Sequence, residues 1–384
     1  MKTLIKFIVL FLFSVIAIYF LLHQKIIDIN ALKNAFNTNK SLILLIAIIQ
    51  ISVCLFMTLR YFSLLKIFKI KTDFQNVLAA TFVSNGIGQW MPGSMAFIEV
   101  IRIGLMLGAD KHLNQKNLDK KEIEIKENLA ELALKSKLAA VSIIDRLIGI
   151  LVMLGFGLIV SSFVYFQISS NLNMIDKANS LKGFLVLTLL LFIAIIMLPF
   201  LSKSKVFRKI LSRFERLFLA LFKKGFLNKI IRKLFHEINS LLDAIVLGSS
   251  KLYLFWKPFF YSIMCVLLSC LGLYLSSIAL SNKIPFEVIL ATISILSIAS
   301  LLPIGIAGVG GMQIIAAIVF SLFLISPQAA SSSQLLQTSV NLLAVSAVGI
   351  LFARLSAKQI RAILLSRKNQ QLIDGKKTSD ITDV

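Results

Sequence analysis

Acidic side chains are scarce in this sequence. Its 384 residues contain 18 Asp and Glu against 41 Lys and Arg, so the formal net charge is +23. Charged residues of both signs make up only 15% of the chain, whereas a soluble globular protein carries about 25%. So little charge, together with 58% hydrophobic residues, argues against a water-soluble protein and predicts a chain that lies in a bilayer and has basic loops.

Motifs for catalysis and cofactor binding are also missing. The sequence has no Gly-rich loop followed by Lys and Ser or Thr, no His-Glu-x-x-His and no nucleophile elbow. The three histidines lack metal-ligand spacing, and Cys54, Cys265 and Cys270 lie in apolar runs, where thiols behave as small apolar side chains. We therefore expect no cofactor, no metal, no disulfide and no enzymatic activity.

Eight apolar runs approach the length of about 20 residues that a helix needs to cross a membrane. The first run follows Lys2 and Lys6 like a signal sequence but has no small-residue cleavage site after it, so we interpret it as an uncleaved span. The runs lie near residues 4–22, 41–59, 138–163, 181–201, 254–281, 286–303, 312–326 and 335–353. They predict an all-α polytopic integral membrane protein of about eight transmembrane helices.

Two apolar stretches contain residues that break helices. In residues 76–109 the breakers include Asn85, Pro92 and Gly93, and both flanks are on the basic side, so we predict a re-entrant pair of short helices. Residues 286–326 repeat this arrangement, as two full spans or as a second re-entrant pair. Their central breakers are Pro303, Gly305, Gly308, Gly310 and Gly311.

The two broken stretches also align at a constant offset. The identical pairs are Val77 and Val288, Ala80 and Ala291, Thr81 and Thr292, and Pro92 and Pro303. The same offset places Arg102 opposite Gln313. This match favours two halves of opposite orientation, which is the inverted-repeat plan of many transporters.

The rest of the chain divides into one membrane domain, its insertions and a tail. Residues 1–353 form the membrane domain, and residues 354–384 form a basic and polar cytoplasmic tail. The insertion at 110–137 mixes charges of both signs, as a solvated cytoplasmic helix does. Within the insertion at 202–253, residues 205–246 read as a basic amphipathic helix on an anionic leaflet. Because apolar burial explains that pattern, we expect no nucleic-acid partner.

Four ionisable residues lie at membrane depth, where each costs about 2.5–3.5 kcal/mol unless it is paired or faces a cavity. Glu99 and Arg102 share one helix face, and Asp145 and Arg146 lie about 11 Å into their span. We predict crossed pairs, Glu99 with Arg146 and Asp145 with Arg102. These pairs either lock two helices together or form a phosphate site beside the Gly-rich turn. Arg60, at the end of its span, is expected to reach the interface.

Three motifs resemble the lysylphosphatidylglycerol synthase transmembrane region, a flippase-like family. The Asn, Pro-Gly and Glu-x-x-Arg block of the family resembles Asn85, Pro92, Gly93, Glu99 and Arg102. Its Glu-Arg dipeptide resembles Asp145 and Arg146, with Asp in place of Glu. Its late Pro-x-x-x-Gly-Gly-x-Gly-x-x-Glu block resembles Pro303, Ala307, Gly308, Gly310 and Gln313, with Ala for Gly and Gln for Glu.

The resemblance covers about residues 41–353 and implies a lipid-related function. It implies that the matched residues bind an anionic phospholipid or a polyprenyl-linked glycolipid, which the protein binds or translocates. In the best-understood members of the family this region is fused to a soluble aminoacyltransferase domain. Here the chain ends about thirty residues after its last span, so we do not expect it to make aminoacyl lipid by itself.

Two other functional classes stay open at this stage. One is a non-transporting partner that presents lipid to a glycosyltransferase or an aminoacyltransferase, and the other is an intramembrane enzyme. The small-residue face of Gly149, Gly155 and Gly157 can pack within one protomer or in a homodimer.

The loop charges predict the topology, because Lys and Arg are retained on the cytoplasmic side of the bacterial inner membrane. Both termini should be cytoplasmic. In single-cysteine variants, maleimide should label cytoplasmic positions only after permeabilisation and external positions in intact cells. The cytoplasmic positions are Lys71, Lys120, Lys224 and Arg361, and the external positions are Asn34, Asn171 and Ser332. Labelling of position 120 in intact cells would contradict both the orientation and the first re-entrant pair.

Overall fold

The computed structural model describes most of the membrane domain. The described residues are 29–91, 94–114, 123–169, 175–221, 252–300 and 311–355, with isolated positions at 19, 23, 235, 239 and 242. Every regular element in these segments is helical, which confirms the predicted all-α class.

Eleven α-helices occupy the described segments, and the short 3-10 helix Leu252–Phe255 precedes the eighth. Their bounds are α1 Ile29–Thr38, α2 Lys40–Ile67, α3 Phe74–Gly88, α4 Ser94–Asn114, α5 Ile123–Ser169, α6 Ile175–Lys203, α7 Lys205–Leu221, α8 Trp256–Ala279, α9 Phe286–Ser300, α10 Gly311–Ser321 and α11 Pro327–Leu355.

Five of these helices contain apolar segments that are long enough to cross a membrane, and they confirm a multi-pass membrane protein. The segments are Lys40–Ile67, Leu134–Phe166, Leu181–Lys203, Tyr253–Ala279 and Pro327–Ala353. They coincide with five of the eight predicted runs. The run near 4–22 lies outside the described residues, except for Tyr19.

The two broken stretches are pairs of consecutive helices. The second pair is short: α9 has 15 residues and α10 has 11, or about 22 Å and 16 Å of helix. The described length of each helix is less than the thickness of a hydrocarbon core, which is about 30 Å. The choice between two full spans and a second re-entrant pair therefore depends on residues 301–310 between them. The breaker segments 92–93 and 301–310 lie outside the described residues.

The two halves of the chain repeat one pattern of helix packing. Helices α2 to α5 form the first half and helices α8 to α11 form the second. In the first half α3 packs on α11, and in the second half its equivalent α9 packs on α5. The central helices α2 and α8 pack along each other, and each also contacts both α5 and α11. Exchanging the halves therefore leaves the packing unchanged, which supports the predicted repeat.

The central helices are antiparallel, so the two halves have opposite orientations. At one end, Nδ2 of Asn39, which precedes α2, donates a hydrogen bond of 2.8 Å to the carbonyl oxygen of Ala279, the last residue of α8. Near the other end, Arg60 of α2 donates to Ser262 of α8. An internal repeat with opposite orientations is the inverted plan predicted from the sequence.

The insertions differ partly from expectation. The segment 110–137 has no separate helix among its described residues, because α4 continues to Asn114 and α5 begins at Ile123. Helix α7 confirms the predicted amphipathic pattern over Lys205–Leu221, and most of residues 222–251 lie outside the described residues. Its exposed apolar side chains are Ile210, Phe214, Leu217 and Phe218.

One position chosen for labelling is unsuitable. Ser332 is 2% exposed, because it lies on the packed side of α11, so a cysteine there would not report on the external solution. Gln328, which is exposed in the first turn of the same helix, replaces it.

Candidate functional site

Three helices bring five charged side chains together in the membrane domain. Helix α2 provides Arg60, α4 provides Glu99 and Arg102, and α5 provides Asp145 and Arg146. On α4 the two residues are three apart and lie on one face, whereas the adjacent residues on α5 point in directions about 100° apart. Asp145 therefore accepts hydrogen bonds from α2, whereas Arg146 donates to α4.

Asp145 is bound by Arg60 in a fully buried bidentate pair. Arg60 Nε donates to Oδ1 at 2.6 Å and Nη2 donates to Oδ2 at 2.9 Å, while Nη1 donates to Ser262 Oγ at 3.1 Å. Gly149, one turn after Asp145, provides the space for this guanidinium, because a Cβ there would lie 3.1 Å from Nη1. Two parallel charge-assisted bonds are the strongest form of this interaction.

Glu99 and Arg146 form a second pair at the more accessible edge of the cluster. Arg146 Nε and Nη2 both donate to Glu99 Oε1, at 2.9 Å and 2.6 Å. Their side chains are 18% and 21% exposed, against 0% for Asp145 and 1% for Arg102. This pair therefore separates the buried part of the cluster from the surroundings.

Arg102 is buried but poorly satisfied. Its Nη2 lies 3.3 Å from Glu99 Oε1 and its Nη1 lies 3.7 Å from Asp145 Oδ2, yet none of its three nitrogens makes a hydrogen bond within the described residues. Its guanidinium carbon lies 4.6 Å from the centroid of the Tyr61 ring, which is a cation–π contact. Both carboxylates nearby already accept hydrogen bonds from other arginines, although Oε2 of Glu99 accepts none within the described residues.

The cluster also carries an excess of positive charge. Among the described residues, three guanidinium groups are joined by ion pairs to two carboxylates, which leaves one positive charge. A buried cation with unused donors is costly in a low-dielectric interior. The arrangement therefore suits an additional anion with several oxygen acceptors, such as a phosphate.

Ion pairs bring Glu99, Arg102, Asp145 and Arg146 together, and the predicted pair of Glu99 with Arg146 is confirmed. The predicted pair of Asp145 with Arg102 is only a 3.7 Å approach, because Asp145 binds Arg60 instead. The interpretation of Arg60 as an interfacial residue was wrong, since Arg60 is 4% exposed.

A signal for the burial of Arg60 was present in the sequence. The predicted apolar run stops at residue 59, just before Arg60, but α2 continues for two more turns to Ile67. Tyr61, Leu64 and Leu65, which follow Arg60, are completely buried. Apolar residues on both sides of a charge place it within a span, and not at the end of one.

The other predicted site residues lie on helices that contribute no residue to these ion pairs, or outside the described residues. Asn85 is buried and donates to the carbonyl oxygen of Thr81 on its own helix. Gln313 is buried on α10, in the second broken pair. Pro92, Gly93, Pro303, Gly308 and Gly310 lie outside the described residues.

The Arg60–Asp145 pair should be needed for stability. In Asp145→Asn, Arg60 stays buried without its counter-charge, so the free energy of unfolding should fall by about 3–5 kcal/mol. Thermal unfolding of the detergent-solubilised protein, followed by size-exclusion fluorescence, measures the loss. Asp73→Asn is the matched control, because Asp73 is exposed and makes no side-chain capping bond. Equal melting temperatures for the two variants would disprove the role assigned to this pair.

Comparison with known proteins identifies the family. The family model described as "Lysylphosphatidylglycerol synthase TM region" matches residues 5–349. No curated protein and no solved structure shows significant similarity to the chain. The match covers most of the chain and supports a role related to membrane lipids. The chain therefore belongs to the family of lysylphosphatidylglycerol synthase transmembrane regions.

Proposed function

We propose that this protein binds the phosphate of an anionic phospholipid or a polyprenyl-linked glycolipid at Arg102 and moves the lipid across the membrane. The observation that carries the proposal is the buried Arg102 guanidinium. Among the described residues its three nitrogens make no hydrogen bond, and its cluster has one excess positive charge. A guanidinium matches a phosphate in planar, bidentate geometry.

The phosphate would reach Arg102 through the accessible edge of the cluster. Glu99 accepts from Arg146 and also lies 3.3 Å from Arg102, so an arriving phosphate competes with one carboxylate for two arginines. Displacement of Glu99 would free α4 from part of its contact with α5. Binding of lipid is thereby coupled to the position of a broken helix, as a transport cycle requires.

The orientation follows from the predicted topology. The end of α2 that carries Arg60 leads to Lys66, Lys69 and Lys71, and these basic residues assign that end to the cytoplasmic side. The cluster would then take lipid from the cytoplasmic leaflet of a bacterial inner membrane, with both chain termini in the cytoplasm. The family name links this region to a protein that makes a derivative of phosphatidylglycerol, an anionic lipid.

A second candidate is a membrane partner that binds lipid without moving it and presents it to a glycosyltransferase or an aminoacyltransferase. The observation that favours it is α7, which combines exposed apolar side chains such as Phe214 and Leu217 with basic residues such as Arg213 and Arg216. Such a helix lies at an anionic membrane surface. Binding without translocation in the following assay would support this candidate.

The test uses purified protein in liposomes that contain fluorescent phosphatidylglycerol. Dithionite bleaching reports translocation, and native mass spectrometry reports retained lipid. In Arg102→Lys the charge persists but the bidentate fork is lost, so retention and translocation should both fall by about tenfold or more, equivalent to about 1.4 kcal/mol.

Arg216→Lys is the matched control, because Arg216 is exposed on α7. It should retain and move lipid as the unmodified protein does. If Arg102→Lys is well folded and handles phosphatidylglycerol normally, the proposal fails. A loss of stability without a specific loss of lipid would indicate that the cluster only holds the helices together.

A further inference from the structure

A second polar site lies in the other half of the molecule. It is a cavity of about 220 Å³, and Gln50 on α2 lines it. Gln50 is ten residues before Arg60 on the same helix, or about 15 Å along its axis. The polar lining consists of Gln50, Ser269, Gln334, Gln337, Thr338 and Asn341, and no charged side chain is among the described residues that line the cavity.

The cavity is the counterpart of the charged cluster in the repeat. The cluster is built by α2, α4 and α5 with one residue of α8, which is Ser262. Exchange of the two halves converts this set into α8, α10 and α11 with one residue of α2. The lining contains all four of these helices, with Ser269 on α8, Met312 on α10, Gln337 on α11 and Gln50 on α2. Apolar residues of α5 and α9 also line it: Met153, Ile293 and Leu296. The repeat thus provides one charged and one neutral site.

Gln50 is a buried donor without a partner. The residue is 5% exposed, and its Nε2 makes no hydrogen bond within the described part of the chain. The neighbouring amide of Gln337 donates to the carbonyl oxygen of Ser269 at 2.8 Å. A buried amide donor costs free energy unless an acceptor meets it, so the cavity calls for a ligand that carries oxygen acceptors.

Gly272 on α8 keeps space for these amides. A Cβ at this position would lie 2.5 Å from Nε2 of Gln50 and 3.1 Å from Nε2 of Gln337. The volume of the cavity corresponds to roughly seven water molecules at about 30 Å³ each, enough for one small polar head group. Apolar residues, including Met153 and Leu273, complete the lining.

An apolar layer separates the neutral cavity from the charged cluster. Cys54 lies between Gln50 and Arg60 on α2 and packs with Phe82 of α3 and Val345 of α11, and all three are buried. Cys265 of α8 lies beside this layer, and its thiol donates to the carbonyl oxygen of Val53, the residue before Cys54. The molecule therefore has two polar sites, on opposite sides of an apolar layer.

We propose that the Gln50 cavity binds the uncharged, hydroxyl-rich part of a lipid head group, such as a sugar ring or glycerol. Amides without a charged neighbour donate to and accept from hydroxyls, whereas an isolated phosphate would meet no cation in this cavity. The inference deepens the proposed function, because it names a second chemical group of the lipid. A lipid with both a phosphate and hydroxyls matches the two sites in turn.

The experiment measures lipid retention by native mass spectrometry with two probes. Monoglucosyl diacylglycerol carries hydroxyls without a phosphate, and phosphatidic acid carries a phosphate without head-group hydroxyls. Gln50→Leu should reduce retention of the glycolipid at least about tenfold and leave phosphatidic acid unchanged. Arg102→Lys should have the opposite selectivity, so failure of this inference and failure of the proposed function are distinguishable.

Two further variants make the result decisive. Gly272→Ala fills the space between the two amides and should also lower glycolipid retention, while Gln328→Leu, at an exposed position on α11, should change nothing. If folded Gln50→Leu and Gly272→Ala proteins retain the glycolipid as the unmodified protein does, the cavity is not a head-group site. Failure of the unmodified protein to retain the glycolipid would also overturn the inference.

Discussion

The buried pair of Arg60 and Asp145 is the interaction on which the charged cluster depends. It joins α2 to α5 through two hydrogen bonds and uses both oxygens of the carboxylate. Arg102, on the neighbouring α4, lies 3.7 Å from Asp145 and donates no hydrogen bond to it or to any other described residue. In water this would matter little, but in a membrane interior an incompletely satisfied guanidinium is costly. The same pair that stabilises the helices thus leaves Arg102 with unused capacity for an anion.

The internal repeat gives the charged cluster a counterpart, the neutral cavity. Equivalent helices surround the charged cluster in one half and the neutral cavity in the other, with Cys54, Phe82 and Val345 between them. Under the two proposals, a lipid head group would place its phosphate at the charged cluster and its hydroxyls at the neutral cavity. The antiparallel packing of α2 and α8 places the charged cluster and the neutral cavity in oppositely oriented halves, as the proposed transport of lipid by an inverted repeat would require.

The sequence alone predicts much of the fold, because apolar runs and loop charges are local patterns. The spans of α2, α5, α6, α8 and α11 follow from hydropathy, and Pro92 and Pro303 mark the two breaks. The contacts between side chains are harder to predict from the sequence. The similar depths of Glu99 and Arg146 in the membrane predict their pairing. The sequence does not predict that Asp145 binds Arg60, because this depends on how α2 and α5 cross. Gln50 gave no signal, since one neutral amide in an apolar run is common and its cavity exists only after α8, α10 and α11 pack around it.

The most direct test of the account is an experimental density map of the protein in nanodiscs of phosphatidylglycerol. The account predicts a lipid phosphate with oxygens about 3 Å from the guanidinium of Arg102, and Glu99 moved away from it. A map in which Arg102 contacts only protein groups, with lipid phosphates confined to the outer surface of the helices, would contradict the claim that the excess positive charge is a lipid site.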